Sequence, residues 1–494
     1  MITIRELHQQ IPDPTLSIAE RVRLRCQLAK QFEKTGNYDA ACGAMHDLWP
    51  GFGSHPKLDT LDRRTSGEVL LRVGVLTGWI GSIRLIKGSQ KMAENLISES
   101  IAIFESLSEV KKIAEAQIEI GYCYVREGEL DAARGLYMEA LARLDDRDGD
   151  LKALALLRSA IVELQVNRLK DSLNTLKAAT TLFEASNNHV LRGSFHNQFA
   201  LVLRNLGTGE SGPKYLERVL SEYATAIFHF EQAGHARYQG LVENNVAMAL
   251  LQLERFAEAH EHLDRAQALL TTLDDTVHLA RVEDSRARVF LAEGAVAKAE
   301  QILRAAIRTV EKGDQPSALS EVLTTYGIAL ARLKRSDEAR AMFEQAMGIA
   351  ERIGDLENAS VAVLSLIEYL AEQLTDDDLY SMLELARRFL NETQNTALLN
   401  RFTECTYRAL SRLYSARPDW ANFSLSEALR HHEARFVQMA LEDSGGSVTK
   451  AAGLLGLAGH QSLTFILNRR HPELLAARTP VRRRRKSAFR VRNQ

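Results

Sequence analysis

Residues 460–470 carry side chains that can hydrogen-bond to the edges of nucleic acid bases. Gln461 and Asn468 hold amides that suit adenine, and Arg469 can donate two hydrogen bonds to guanine. Thr464 and Phe465 can contact a thymine methyl group. The candidate base contacts are His460, Gln461, Ser462, Thr464, Asn468, Arg469 and Arg470.

Side chains suited to phosphate groups lie on both sides of this segment. Ser447, Thr449 and Lys450 stand at the predicted N-terminus of the preceding helix, where backbone N–H groups favour an anion. The basic tail follows later, as Arg482, Arg483, Arg484, Arg485 and Lys486. It could track a minor groove, bind phosphates nonspecifically or simply end in solvent.

The distribution of charge singles out this end of the chain. Residues 430–494 hold 13 Lys or Arg against 4 Asp or Glu, a net charge of +9, whereas residues 1–429 hold 49 against 60, a net charge of −11. Because an acidic surface repels phosphate, DNA is expected to meet only the C-terminal part.

Three helices are predicted to position these side chains. Ser424 and Glu427 form a capping box that should start a helix of about 19 residues ending at Gly445-Gly446. Its buried face is expected to hold Leu429, Phe436, Val437, Ala440 and Leu441. Ser447 can cap a second helix that turns at Gly456, where a left-handed backbone favours glycine. The inward-facing residues of the second and third helices should be Val448, Ala451, Ala452, Leu455, Leu463, Ile466 and Leu467.

This segment resembles the Fis-type helix-turn-helix of bacterial nucleoid proteins and enhancer-binding activators. The resemblance covers about 45 residues and is carried by Glu433, Phe436, Ala440-Leu441, Gly446, Thr449-Lys450-Ala451-Ala452, Leu455-Gly456-Leu457 and Leu463. One departure is that six residues, LAGHQS, separate Gly456 from Leu463, where the Fis-type unit has five. The register of the groove-facing side chains is therefore open by one residue. The resemblance implies double-stranded DNA as a partner and a homodimer on it.

Small residues repeat along the rest of the chain at offsets of 0, 12 and 19. The anchors are Gly81, Ala93, Ser100; Gly121, Ala133, Ala140; Ala160, Ser172, Ala179; Ala247, Ala259, Ala266; Ala287, Ala299, Ala306; and Gly327, Ala339, Ala346. Small side chains let helices approach closely, with the first anchor midway along helix A, the second entering helix B and the third ending it. One step, from Ala200 to Ala247, spans 47 residues and contains the loop sequence GTGESGP at 207–213.

The triplet resembles tetratricopeptide repeats over most of residues 20–395, with a step near 40 rather than the usual 34 residues. HEAT or armadillo repeats have similar periods but do not require this triplet. We therefore predict an all-α protein with a repeat solenoid over 1–416, a helix-turn-helix domain over 420–477 and a basic tail over 478–494, the solenoid ending at Arg417-Pro418.

Polar residues just before four successive first anchors are predicted to face the solenoid groove. They are Asn197, Gln198, Asn244, Asn245, Asp284, Ser285, Thr324 and Thr325, with Arg288 one turn further on. Amides suit a peptide backbone or a polar small molecule, and Arg288 could pair with a carboxylate. The alternative is a solvated inner face. Earlier repeats present Trp79, Tyr122 and Leu157, which indicate either a partner surface or packing.

The composition argues against several classes of protein. The 4 cysteines are far apart, and the sequence lacks GxxxxGK[ST], GxGxxG after a strand, HExxH and GxSxG. We therefore expect no catalytic residues, cofactor, metal site or membrane segment, and a cytoplasmic bacterial protein. The preferred interpretation is a DNA-binding transcription regulator whose solenoid docks a protein, peptide or small ligand. The rivals are a protein-interaction adaptor without a DNA role and a polyanion binder driven by the tail.

Overall fold

The computed structural model describes residues 4–84, 86–206, 212–312, 315–391, 393, 395–415 and 424–477. All regular secondary structure in these ranges is helical, which confirms the all-α prediction. The chain divides into two compact units, residues 1–411 and residues 412–494. Arg417-Pro418, the predicted end of the solenoid, and the basic tail Arg482–Lys486 lie outside the described residues.

The first unit is a series of helices joined by short turns. Its helices are α1 (Ile4–Gln10), α2 (Ile18–Lys34), α3 (Tyr38–Met45), α4 (Arg63–Ile83), α5 (Ser89–Ser106), α6 (Val110–Glu127), α7 (Leu130–Arg143), α8 (Gly149–Gln165), α9 (Leu169–Ala185), α10 (His189–Leu206), α11 (Gly212–Gln232), α12 (Ala236–Gln252), α13 (Phe256–Thr271), α14 (Thr276–Ala292), α15 (Val296–Val310), α16 (Pro316–Arg332), α17 (Ser336–Arg352), α18 (Leu356–Leu370), α19 (Asp376–Phe389) and α20 (Thr396–Ser415), the last of which runs past residue 411.

Hairpins of two helices repeat from α2 to α19, each even-numbered helix packing against the odd-numbered helix that follows. The even-numbered helices also contact one another, as α6 with α8 and α8 with α10 do. They therefore correspond to the predicted A helices, and their stack forms the inner wall of the solenoid.

The small-residue anchors are buried where the hairpins pack. Ala133, Ala140 and Ala160 have no exposed surface. A Cβ built on Gly121 would lie 2.5 Å from the Tyr137 ring. The predicted positions within the helices need correction, because the first anchor lies beyond the middle of helix A and the third lies before the end of helix B. Ser100, for example, is followed by six more residues of α5.

The long step between Ala200 and Ala247 is an insertion within one hairpin. The repeat pattern would place the second and third anchors 12 and 19 residues after Ala200, at positions 212 and 219. Because the step is seven residues longer than 40, the anchors are instead Val219 and Ala226, which are both fully buried in α11. The extra residues thus fall between α10 and α11, and residues 207–211 of this stretch lie outside the described residues.

The solenoid curls far enough for hairpins distant in sequence to touch. Helix α14 contacts α4. A Cβ built on Gly36, in the α2–α3 turn, would lie 2.8 Å from the ring of His235, which precedes α12. Gly128, after α6, likewise lies against Ile353, after α17. This curvature encloses the inner wall.

The second unit contains α21 (Leu425–Asp443), α22 (Val448–Leu454), α23 (His460–Arg469) and a 3₁₀ turn at Pro472–Ala477. Ser424 caps α21 by accepting a hydrogen bond from the Glu427 N–H group. Gly456 has a φ of 65°, as the corner requires. The core of this unit contains Val437, Ala440, Leu441, Ala451, Ala452, Leu463 and Leu467.

Two expectations for this unit were wrong. Leu429 and Phe436 are 61% and 60% exposed, because their positions on α21 face away from α22 and α23. Ser447 precedes α22 with an extended backbone, yet its side chain makes no capping hydrogen bond.

Candidate functional site

Two of the polar residues predicted to face the solenoid groove are joined by a hydrogen bond between inner helices. Asn245 donates to the Asn197 side chain at 2.9 Å. Gln198 is buried, and its Nε2 atom finds no acceptor among the described residues. Of the predicted groove residues, Asn197 and Gln198 line the cavity described below.

The predicted groove residues of α14 and α16 are less accessible than expected. Asp284, Thr324 and Thr325 are buried, and so is Ser285. Arg288 does pair with a carboxylate, but with Asp284 of its own helix, at 2.8 Å. Asn244 holds a buried side-chain oxygen that has no hydrogen-bond donor in the described part of the chain. Arg288 also donates to the Thr325 hydroxyl at 3.2 Å, so its guanidinium is held by two neighbours in the wall.

A cavity of about 590 Å³ opens on the inner wall between α2 and α12. This volume lies within the range of about 300–1,000 Å³ that is usual for small-molecule sites. Its apolar lining is Leu151, Leu154, Leu157, Ile161, Val190, Leu191, Phe230 and Leu241. Its charged lining is Lys30, Glu33, Lys34, Arg72, Lys111, Glu115, Glu119, Arg147, Asp148, Asp150 and Arg158.

Much of this charge is committed to ion pairs that tie helices together. Glu115 of α6 pairs with Lys30 of α2, and at 3.1 Å with Lys112. Burial alone would raise the pKa of Glu115, but Lys30, Lys112 and Arg72 outweigh it and hold that pKa well below its ordinary value. Glu115 therefore stays ionised, and the network is structural.

Aromatic and arginine side chains pack together beside the cavity, and we call them the arginine–aromatic cluster: Tyr38, Trp79, Tyr122, Arg126, Arg158 and Tyr238. Of these, Tyr122, Arg158 and Tyr238 line the cavity. The rings of Trp79 and Tyr122 lie 5.3 Å apart between centroids. The Arg158 guanidinium carbon lies 3.3 Å from the Tyr122 ring centroid. The sequence pointed to Trp79 and Tyr122 as packing or a partner surface, and the structure places them at a cavity beside two cations.

In the second unit, the predicted base contacts lie on the outer side of α23. His460, Gln461, Asn468 and Arg469 are exposed, while Ser462 and Thr464 are half-buried. The Thr464 hydroxyl donates to the His460 carbonyl at 2.8 Å. At the start of α22, Thr449 and Lys450 are exposed, and Ser447 just before the helix is half-buried. Most of these predicted contacts are therefore open to solvent.

Arg470 differs from the other candidates because its charge is already paired. It donates to Glu433 of α21 at 2.7 Å, and the buried His471 lies 3.0 Å from the other oxygen of that carboxylate. These bonds hold the end of α23 against α21. Arg470 is therefore a structural residue of the unit as well as a predicted DNA contact.

An apolar stripe runs along the face of α21 that points away from its core. Leu425, Leu429, Phe436 and Met439 are exposed among the described residues. These residues are four, seven and three positions apart, which fits the a and d positions of a heptad repeat. His432 occupies the d position between Leu429 and Phe436. Sequence reasoning missed this stripe because it assigned Leu429 and Phe436 to the interior.

Metal sites and membrane-spanning helices are both absent from the side chains and helices of the described residues. No group of three or more His, Cys, Asp or Glu side chains there could hold a metal ion. Within the same ranges, no helix is long and apolar enough to cross a membrane.

Comparisons with known proteins bear on the first unit. Residues 320–360, from the second turn of α16 to the second turn of α18, match the tetratricopeptide repeat family. A solved structure titled as a Rap protein complexed with competence and sporulation factor is 14% identical, with a TM-score of 0.54, and the match covers 78% of this chain and 99% of that one. The solenoid has the tetratricopeptide-repeat fold.

Other solved structures resemble this chain more loosely. Aspartyl phosphate phosphatase F from Bacillus subtilis is 14% identical with a TM-score of 0.43, over 71% of this chain and 94% of that one. The apo form of RapI is 13% identical with a TM-score of 0.41, over 80% of this chain and 99% of that one. No curated protein matches the sequence.

The residues that sequence reasoning missed are Arg126, Arg158 and Tyr238. Arg126 and Arg158 come from the neighbouring helices α6 and α8, and Tyr238 of α12 joins them only because the solenoid curls. The only local signal was that Tyr122 precedes Arg126 by one helical turn on a predicted inner helix.

Proposed function

We propose that this protein is a sequence-specific DNA-binding transcription regulator that acts without catalysis. The observation that carries the proposal is the surface of α23, which presents Gln461, Asn468 and Arg469 outward above a buried core of Leu463 and Leu467. A short helix with exposed amide and guanidinium groups suits base edges in a major groove.

Other residues of the second unit would fix its position on DNA. Thr449 and Lys450 lie at the N-terminus of α22, where they could meet phosphate groups. The predicted contacts of the tail, Arg482–Lys486, would add attraction that does not depend on sequence. The glycine corner at Gly456 would set the angle between α22 and α23.

The exposed stripe of α21 supports a homodimer on DNA. Large apolar side chains in a heptad pattern are costly in water and pair well with a second copy of the same helix. A dimer would place two α23 helices on two half-sites, about one turn of DNA apart.

The solenoid would dock the partner that controls this activity. Its enclosed inner wall offers a cavity, unsatisfied amide groups and charged side chains. The relative of the same fold described above is titled as a complex with competence and sporulation factor, so solenoids of this shape can hold a partner. We propose a protein, peptide or small ligand in this role.

Selection of random duplexes by the full chain would test the DNA-binding proposal. We expect one enriched sequence, bound by residues 412–494 alone and not by residues 1–411. Asn468→Ala should cost about 1–3 kcal/mol on that sequence and little on scrambled DNA. Neutralising Arg482–Lys486 should weaken both alike and flatten the slope of log K against log salt by about 0.9 for each phosphate that the tail no longer neutralises.

A second candidate function is an adaptor that binds proteins through α21 and has no DNA role. The exposed stripe formed by Leu425, Leu429, Phe436 and Met439 favours it, since such a stripe also suits a partner helix. An adaptor would enrich no duplex, and its protein binding would be insensitive to competitor DNA.

A further inference from the structure

Two arginines of the arginine–aromatic cluster share one tyrosine at the centre of the solenoid. Arg126 of α6 lies 4.0 Å from the Trp79 ring centroid and 4.3 Å from that of Tyr122. Arg158 of α8 covers Tyr122 at 3.3 Å. Arg158 lines the cavity of about 590 Å³. Arg126 lines an adjoining cavity of about 220 Å³, which shares Tyr122, Ile161, Tyr238 and Leu241 with the first.

Arg72 and Arg237, which are buried in the solenoid, have carboxylate partners, whereas the half-buried Arg126 and Arg158 have none among the described residues. Arg237 pairs with Asp275 at 3.1 Å, and Arg72 pairs with Glu33. Among the described residues, no ion pair joins Arg126 or Arg158 to an acidic side chain. Glu119 lies in the same cavity wall and acts on Arg158 only at longer range.

This arrangement is costly when the protein stands alone. Stacking on Trp79 and Tyr122 compensates the two guanidinium groups in part, but it supplies no carboxylate to their N–H groups and keeps two like charges together. The charges also act on Tyr122, since burial alone would raise the pKa of its hydroxyl, yet Arg126 and Arg158 lower it below the ordinary value. A bound oxyanion would neutralise both charges and accept their hydrogen bonds.

The neighbouring wall indicates the rest of the ligand. Leu154, Leu157 and Ile161 line the cavity beside Arg158, so an apolar chain attached to the anion would be covered. Gln198, with its free Nε2 donor, lines the same cavity. The site therefore suits a molecule with one anionic end and an apolar body.

We propose that Arg126 and Arg158 form an anion-binding site inside the solenoid, which takes the carboxylate or phosphate end of an amphipathic ligand whose body lies on Leu154, Leu157 and Ile161. This inference rests on the ligand-docking role proposed above for the solenoid, and it names the ligand class and the residues.

Thermal unfolding of the full chain with small probes would test the proposal. Hexanoate and hexyl phosphate should raise the unfolding midpoint in a saturable way, while neutral hexanamide should not, because a ligand stabilises only the state that binds it. Whichever anion binds more tightly identifies the end group. Arg126→Gln and Arg158→Gln should each weaken the apparent Kd by about tenfold or more.

Arg147→Gln is the matched control, because Arg147 lines the same cavity but is 91% exposed and pairs with Asp145. It should keep the effect of both probes. Equal stabilisation of the wild type and Arg158→Gln would show a general salt effect and overturn the proposal, as would no stabilisation by either anion.

A second readout does not depend on the arginine variants folding. Tyrosinate absorbance of the wild type minus that of Tyr122→Phe reports the titration of Tyr122 together with the change that its removal causes in the neighbouring Tyr238. A saturating anionic probe should move this difference titration to higher pH. An unchanged titration would overturn the proposal. DNA binding measured on the same proteins separates the anion-site hypothesis from the regulator hypothesis. Stabilisation by anions without DNA binding would support the anion site and contradict the DNA-binding role. DNA binding without stabilisation by anions would support the DNA-binding role and contradict the anion site.

Discussion

At the scale of single residues, the small anchors matter because their neighbours occupy the space of a Cβ. Gly121 faces Tyr137 across the α6–α7 hairpin, with 2.5 Å between a built Cβ and the ring. Gly135 lies on the exposed side of α7 of the same hairpin, with nothing within 4 Å of its own built Cβ. Substituting each glycine by alanine therefore distinguishes the effect of close packing on stability from the effect of helix propensity.

We expect Gly121→Ala to destabilise the solenoid by about 1–3 kcal/mol, since a fully buried ring must move. Gly135→Ala should instead stabilise it by about 0.5–1 kcal/mol, because alanine restricts the unfolded chain and favours a helix. Urea unfolding followed by helical circular dichroism measures both. If the two variants behaved alike, the anchor would not be set by packing against Tyr137.

At the scale of elements, His235 caps one helix and touches another hairpin. Its Nδ1 atom accepts a hydrogen bond from the Tyr238 N–H group at 3.2 Å, so this nitrogen must be unprotonated. The ring also stacks on Tyr238 and fills the space beside Gly36. Burial lowers the pKa of His235 to about 3 from an ordinary 6.5.

The pH dependence of stability follows from this cap. In the unfolded chain His235 binds a proton below about pH 6.5, whereas in the folded chain it stays neutral down to about pH 3. The free energy of unfolding should therefore fall as the pH drops from 6.5 to 3. His235→Asn keeps a capping acceptor and does not titrate, and it should lose less stability between pH 7 and pH 4. The exposed His46→Asn is the control and should follow the wild type.

A second element, α21, presents one face to the core and another to solvent. Phe436→Glu should leave the unit folded, because Phe436 lies outside the core, but it should turn a dimer into a monomer. Analytical ultracentrifugation and binding to a duplex with two half-sites measure these effects. Gln438→Glu, which adds the same charge on the same helix off the stripe, should change neither. A variant that remained dimeric would place the seam elsewhere.

At the scale of the whole molecule, the two units carry opposite charge. Residues 412–494 hold 15 Lys or Arg against 6 Asp or Glu, and residues 1–411 hold 47 against 58. We expect the isolated residues 412–494 to bind random duplex DNA more tightly than the full chain at low salt, because the acidic unit repels phosphate. The difference should shrink as salt shortens the screening length. A constant ratio at all salt concentrations would exclude this repulsion.

Local signals in the sequence were enough to predict the hairpins of the solenoid and the boundaries of α21 and α22. Small residues at fixed offsets predicted the stacked hairpins, because only they allow close helix contacts. Ser424, Gly445 and Gly456 marked the boundaries of α21 and α22, because capping and left-handed backbone are local properties. The DNA contacts and the homodimer remain predictions, and the register of α23 relative to the groove is still open by one residue.

Other features follow only from the packing of helices that are distant in sequence. Phe436 fits the helical period of a buried face, and only the placement of α22 and α23 shows that this face is free. The arginine–aromatic cluster joins Trp79 to Tyr238, whose rings lie 6.5 Å apart although the residues are distant in sequence. Periodicity in sequence fixes each hairpin, but the curvature that brings distant hairpins together is the sum of many small packing angles, and no single residue encodes it.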